Sequence, residues 1–293
     1  MNIWILQTGE PLFSDDSDLR PMRAMNLSKA LIERNHKVEI ISTRFFHQKK
    51  IFRNKIKKTF FKGLLTETLI NSPGYTSNQS LRRLFDHFIL FFTLLNNLLK
   101  RKDKPDLLFI GYPPVFWSLA AIIFANIKGI PTLLDVKDLW PDIFWDNGNY
   151  SNTKKKIIKF VFIPYSISAT ISATFSKYIT GPTTLMANYF LENYHNNLLS
   201  NLFNLQKPKV FASPIVPPKG QEIKTKKVTP KDPPNTLLKI FFIGSLVSVY
   251  DFETVSQSLN LLDSYGIKYK FLIAGKGSNE KENLLFGPYL NVG

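Results

Sequence analysis

Short apolar runs alternate with amphipathic segments along this chain, and that alternation restricts it to a sheet covered by helices. Residues 3–6 are an apolar run of strand length, as expected for a strand buried on both faces. A polar loop over 7–19 follows, carrying Gly9, Pro11 and three aspartates. Pro21 suits the first turn of a helix, and Ala24, Leu27 and Leu31 then mark one helix face. Asn35 stands at the helix end, where glycine is commonest. Residues 38–42 complete a β-loop-α-β unit within about 40 residues, the opening of a parallel sheet.

The pattern repeats with strands at 106–110, 130–136 and 178–180, a GYPP turn, and helices at 115–127 and 183–194. It breaks at 214–234, a stretch with six prolines, five lysines and no periodicity. It restarts with strands at 237–243 and 269–274 and helices at 252–262 and 280–285. The expected organisation is a first Rossmann-like domain over 1–213, a linker over 214–234 and a second domain over 235–293. Two strand–helix units fall short of the roughly 100 residues such a domain needs, so the second is expected to be truncated.

The 293 residues are 44% hydrophobic and 20% charged, a globular composition. The absence of cysteine excludes disulfides, thiolate metal sites and a cysteine nucleophile, and suits a reducing cytosol. His36, His47, His87 and His195 form no ligand-spaced pair, so no metal is expected. The formal net charge is +16, with basic runs at 49–62, 100–104, 154–159 and 219–231. Three readings stand: solvated surface, an anionic membrane surface, or a polyanionic ligand. Nucleic acid is not expected as a partner, because the basic runs lack interleaved aromatics and no binding motif is present.

The start, MNIWILQTGE, is too short for a signal peptide and has no basic lead. No stretch offers 18 clean apolar residues. Residues 157–174, interrupted by Lys159 and Pro164, read as a buried helix region. Residues 84–99 (LFDHFILFFTLLNNLL) are either a core helix or one lying on a membrane surface, with KRKDK beside the headgroups. The expected location is cytoplasmic, peripheral on the inner face of the membrane in the second case.

The most informative segment is LDVKDLWPD, residues 134–142, just past a strand's carboxyl end. It carries Asp138, Asp142 and the rigid step Trp140-Pro141. A carboxylate there suits deprotonation of a hydroxyl nucleophile; equally, Asp138 suits capping of a following helical turn.

Four pieces in order resemble glycosyltransferase family 4, a GT-B class: TGEP with RPMRAMNLSKALIERNHKVEIIS; KPDLLFIGYPPVFW; VKDLWPD; and FFIGSLVSVYDFETV with FLIAGKGSNEKENLL. The nearest likeness is to the bacterial subgroup that builds lipopolysaccharide O-antigens and exopolysaccharides. The resemblance implies an α/β protein of GT-B type, with two Rossmann-like domains. The first takes the acceptor, often a lipid-linked sugar; the second takes most of the nucleotide-sugar donor. It also implies retention of anomeric configuration and no cofactor or metal.

The resemblance assigns residues unevenly. Asp138, Trp140 and Pro141 match the family's loop, while Lys137 stands where many members have a donor-contacting histidine. Gly9 alone represents the paired glycines of the first loop. Gly244, Gly275 and Gly277 match the donor side, but Ser245 and Tyr250 replace the arginine and lysine that clamp the diphosphate. The family's paired-glutamate motif is expected beyond Gly293. The candidate set is therefore Asp138 and Lys137 for catalysis, and Gly9, Gly244, Ser245, Gly275 and Gly277 for donor and phosphate. Arg20, Arg23, Trp140 and Asp142 are the acceptor-side candidates, although both arginines suit surface or ion-pair roles. An inactive fragment that keeps only a binding surface is the alternative. A dehydrogenase is disfavoured by the lack of G-x-G-x-x-G after the first strand.

Overall fold

The computed structural model describes residues 1–15, 19–54, 57–77, 80–146, 150–214, 237–244, 246, 250–275 and 289–291, with only the backbone at 57 and 289–291. The chain divides into two units, Met1–Gln221 and Glu222–Gly293.

The first unit runs β1 (Asn2–Leu6), α1 (Arg23–Ile32), β2 (Lys37–Thr43), β3 (Phe45–Phe46), β4 (Ile51–Phe52), β5 (Lys57–Phe60), β6 (Leu65–Ile70) and α2 (Leu81–Leu99). It continues with β7 (Leu107–Tyr112), α3 (Val115–Lys128), β8 (Thr132–Val136), α4 (Ile143–Asp146), α5 (Asn152–Val161) and α6 (Ile163–Thr174). It closes with β9 (Tyr178–Gly181), α7 (Thr184–Tyr194), α8 (Asn197–Leu202) and β10 (Lys209–Ala212). Among the described residues the sheet has eight strands in the order β10-β9-β8-β7-β1-β2-β6-β5. Every pairing is parallel except β5 with β6. From β1 the chain works outward to β6, and α2 then returns it to β7 on the other side of β1. This reversal opens a crevice above the carboxyl ends of β1 and β7.

Side chains alternate across each strand. Trp4 and Leu6 of β1 join a core built with α2, α3, α6 and α7, including Leu94, Trp117, Ala169 and Phe190. Ile3 and Ile5 face the other way, onto a smaller core with Ala24 of α1 and Val38, Leu65 and Phe109. Burial on both faces explains why the strands read as continuous apolar runs.

Polar caps fix the helix ends. Ser80 accepts the Arg83 amide at 3.3 Å, and Thr183 the Met186 amide at 3.2 Å. The N-cap of α1 is Met22, which supplies no cap; instead Glu10 accepts the Ala24 amide at 2.8 Å from the loop after β1. Pro21 thus precedes the helix instead of filling its first turn. Asn35 adopts a φ of 60°, the left-handed stop expected of it.

Residues 157–174 differ from expectation. They are not one buried helix region but two helices, α5 and α6, bent by 64°, with no buried residue in α5. The chain turns at Phe162, which stacks on Phe144 of α4 at 4.3 Å.

The second unit has β11 (Leu238–Ile243), α9 (Phe252–Ser264), β12 (Tyr269–Ala274) and β13 (Tyr289–Asn291), its strands parallel in that order. Leu246, Leu259, Phe271 and Ile273 form its core. The expected linker lies almost wholly outside the described residues, and the expected helix at 280–285 entirely so.

Candidate active-site cleft

The loops leaving β1 and β8 meet at the crevice. After β1 the chain presents Gln7, Thr8, Gly9 and Glu10; after β8 it presents Lys137 and Asp138. With Arg83 and His87 of α2, and His47 and Tyr75 from the strand–loop insertion, they line a cleft of about 200 Å³.

Lys137 is held from three sides. Its amide donates to the Tyr112 carbonyl at 2.9 Å, and its ammonium donates to Gln7 Oε1 at 2.7 Å and forms an ion pair with Glu10. Glu10 is buried and uses its other oxygen to cap α1, so one carboxylate fixes both the lysine and the helix. Gln7 fits because β7 has a glycine beside it: a Cβ on Gly111 would lie 1.9 Å from Gln7 Oε1. The Glu10 carbonyl accepts from buried Arg53 at 3.0 Å, and Arg53 makes paired bonds of 2.7 and 2.6 Å to Asp15.

Asp138 is exposed at the cleft, yet partial burial of its carboxyl raises its pKa against the pull of Lys137 and Arg83. Opposite, Tyr75 Oη and His47 Nδ1 are 2.6 Å apart. Burial and the nearby Lys50 and Arg83 lower His47 to about 4, so its imidazole is neutral at pH 7. His87, buried at the cleft floor, is lowered by burial to about 3. The Asp86 carboxylate accepts the Gly74 amide at 2.7 Å, tying the insertion to α2.

A second cleft of about 510 Å³ lies beside the first and shares Glu10, Met22 and Lys137 with it. Arg20 and Arg23 line it. Arg20 is exposed. The Arg23 guanidinium donates to Asp135 at 3.0 Å and to Ser213 at 2.7 Å, which ties α1 to the ends of β8 and β10. Asp135 is fully buried, and burial raises its pKa to about 6 despite Lys137 and Arg23.

The structure therefore gathers Gly9, Lys137 and Asp138 in one cleft and places Arg20 and Arg23 in its neighbour. Trp140 stands behind the first cleft, its ring 4.8 Å from the Arg83 guanidinium and 5.7 Å from His87. Asp142 lies apart, accepting the hydroxyls of Tyr189 (3.0 Å) and Tyr194. In the second unit, Gly244 and Gly275 end adjacent strands, and a Cβ on Gly275 would sit 1.8 Å from the Gly244 carbonyl oxygen. Ser245 and Gly277 lie outside the described residues. Sequence reasoning missed Gln7, Glu10, His47, Tyr75, Arg83 and His87. The available signal was the polar pair Asp86-His87 inside an otherwise apolar helical run. Among the described residues, no three His, Asp or Glu side chains are grouped to hold a metal ion.

The sheet order, parallel pairing and helices on both faces define a doubly wound α/β protein with a second parallel βαβ unit. No protein-family model matches the sequence, and no curated protein matches it. Solved structures with a similar chain course include Arabidopsis thaliana UGT89C1 complexed with UDP-L-rhamnose, at 12% identity and TM-score 0.49, covering 94% of this chain and 68% of that one. The lipopolysaccharide outer core galactosyltransferase WaaB, apo form, aligns at 14% identity and TM-score 0.49, covering 100% and 68%. Acinetobacter baumannii MurG aligns at 9% identity and TM-score 0.43, covering 100% and 66%. The chain spans about two thirds of the length of each.

Proposed function

We propose that this chain is a GT-B glycosyltransferase, moving a sugar from a nucleotide-sugar donor to a glycan acceptor in cell-surface polysaccharide or lipopolysaccharide assembly. The observation that carries the proposal is the convergence of Asp138, Lys137 and the Gly9 loop on a switch-point cleft in the first unit. The four ordered sequence pieces that resemble family 4 support it.

In this reading the cleft takes the acceptor. An acceptor hydroxyl donates to the Asp138 carboxylate and attacks the anomeric carbon of the donor. The hydroxyl approaches on the face from which the diphosphate departs, so the new carbon–oxygen bond forms as the old one breaks and configuration is retained. The nucleoside diphosphate leaves with its charge, and the hydroxyl proton passes to Asp138. The raised pKa of Asp138 makes it a better base than a solvated carboxylate. Lys137, oriented by Gln7 and Glu10, offers a fixed N–H donor to a sugar hydroxyl or an anionic group. Arg20 and Arg23 extend the acceptor site into the neighbouring cleft, and Trp140 supports its wall. The donor diphosphate is assigned to the strand-end turns at Gly244 and Gly275, and no metal takes part. The acceptor is lipid-linked, which places the protein on the inner face of the cytoplasmic membrane.

The Asp138→Asn variant tests the site. With a nucleotide-sugar panel and lipid-linked acceptors, kcat should fall by about 10²–10⁴ with little change in KM. A variant as active as the wild type would remove Asp138 from the mechanism.

A further inference from the structure

Helix α5 leaves a row of large apolar side chains in contact with water. Its sequence, NTKKKIIKFV, is amphipathic. Yet the apolar stripe of Ile157, Phe160 and Val161 faces solvent, with Phe160 73% exposed and Ile157 59%. Only Lys155 and Ile158 of α5 are half-buried; Lys154, Lys156 and Lys159 are exposed beside the stripe, the Lys159 ammonium 5.3 Å from the ring centre of buried Trp145. The stripe continues past the bend into α6 through exposed Ile163 and Ile167. A second exposed stripe runs along α2 through Phe85, Phe88 and Phe92.

A chain of ring contacts joins the two. Phe88 meets Phe116 of α3 at 6.0 Å, Phe116 meets Tyr165 of α6 at 4.6 Å, and Tyr165 meets Phe162 at 5.2 Å. Tyr165 also lies 6.4 Å from Trp140, the ring behind the candidate cleft. The link runs beneath the surface through buried Tyr165, and the exposed apolar stripes above it mark an interaction surface. Its charge selects the partner. Lys154–Lys156 and Lys159 flank the ridge in a protein of net charge +16.

We propose that the α5–α6 ridge, extended by the α2 stripe, docks this protein onto an anionic lipid bilayer. Ile157, Phe160 and Val161 enter the acyl boundary, and the α5 lysines meet anionic headgroups. The helices lie on the bilayer without crossing it. The inner face of α6 is locked in the core through Tyr165, Ala169 and Ala173, and four lysines interrupt α5. This docking rests on the exposed surface and stands independently of the reaction proposed above.

Vesicle co-sedimentation of the full chain tests it, using phosphatidylcholine with and without phosphatidylglycerol. Binding to the anionic vesicles should be at least about tenfold tighter than to neutral ones, and should weaken with added salt. The triple variant Ile157→Glu/Phe160→Glu/Val161→Glu should lose binding yet unfold thermally like the wild type, because these side chains are exposed. The variant Lys154→Gln/Lys155→Gln/Lys156→Gln should lose the preference for anionic vesicles. Wild-type chain left in the supernatant with both vesicle types would overturn the proposal, as would equal binding by the wild type and the Glu variant. A wild-type dimer that the Glu variant turns monomeric, with no vesicle binding, would assign the ridge to a second copy instead.

Discussion

At the residue scale, the cleft depends on small fits between strands. Gly111 leaves the space that Gln7 Oε1 occupies, and Gln7 in turn steadies Lys137. Gly111→Ala should cost about 1–3 kcal/mol in urea unfolding, since Gln7 must give way in a packed interior. Asp135 makes a pH-dependent contribution. Burial raises its folded pKa from 3.8 to about 6, so the folded state holds more protons than the unfolded state between those values. Stability from this group therefore falls as pH rises from about 4 to about 6, and is flat above. The stability of Asp135→Asn minus that of the wild type should rise by roughly 1–3 kcal/mol over the same interval. An unchanged difference would mean that Asp135 is not the group that titrates. The LDVKDLWPD loop was legible in the sequence because its carboxylates follow an evident strand. Glu10 was not legible as its partner: nothing local shows that a loop glutamate caps α1 from 14 residues away.

At the element scale, the βαβ rhythm was legible wherever strands are buried on both faces, as in β1, β2, β7 and β8. The segment between β2 and α2 was not. Its pieces are short, and what fixes them is tertiary: Arg53 bridges Asp15, the Thr43 carbonyl (2.8 Å) and the Glu10 carbonyl. Arg53→Ala leaves Asp15 buried without its cation and should cost about 3–5 kcal/mol in denaturant unfolding. It should also loosen the Glu10 loop, and so lower activity. Helix α5 misled for a different reason. An amphipathic pattern shows that a helix has two faces but not how deeply either is buried, and here only Lys155 and Ile158 turn part-way inward while Ile157, Phe160 and Val161 stay exposed.

At the scale of the whole molecule, the first unit supplies a closed core on both faces of its sheet and a cleft where the strand order reverses. Four of the lysines behind the net charge of +16 lie on α5, beside an exposed apolar ridge. The basic run at 154–159 was legible in the sequence, but the exposure of the apolar side chains beside it was not. Aromatic contacts run from the ridge through Tyr165 and Trp140 to His87 beside the cleft. The central claim is that the chain transfers a sugar. Mass spectrometry of a lipid-linked acceptor, incubated with the purified chain and a panel of nucleotide-sugars, tests it most directly. One donor should add the mass of a single sugar residue to the acceptor, with the gain abolished or greatly slowed in Asp138→Asn; an unaltered acceptor with every donor, from a chain that is demonstrably folded, would contradict sugar transfer by this chain.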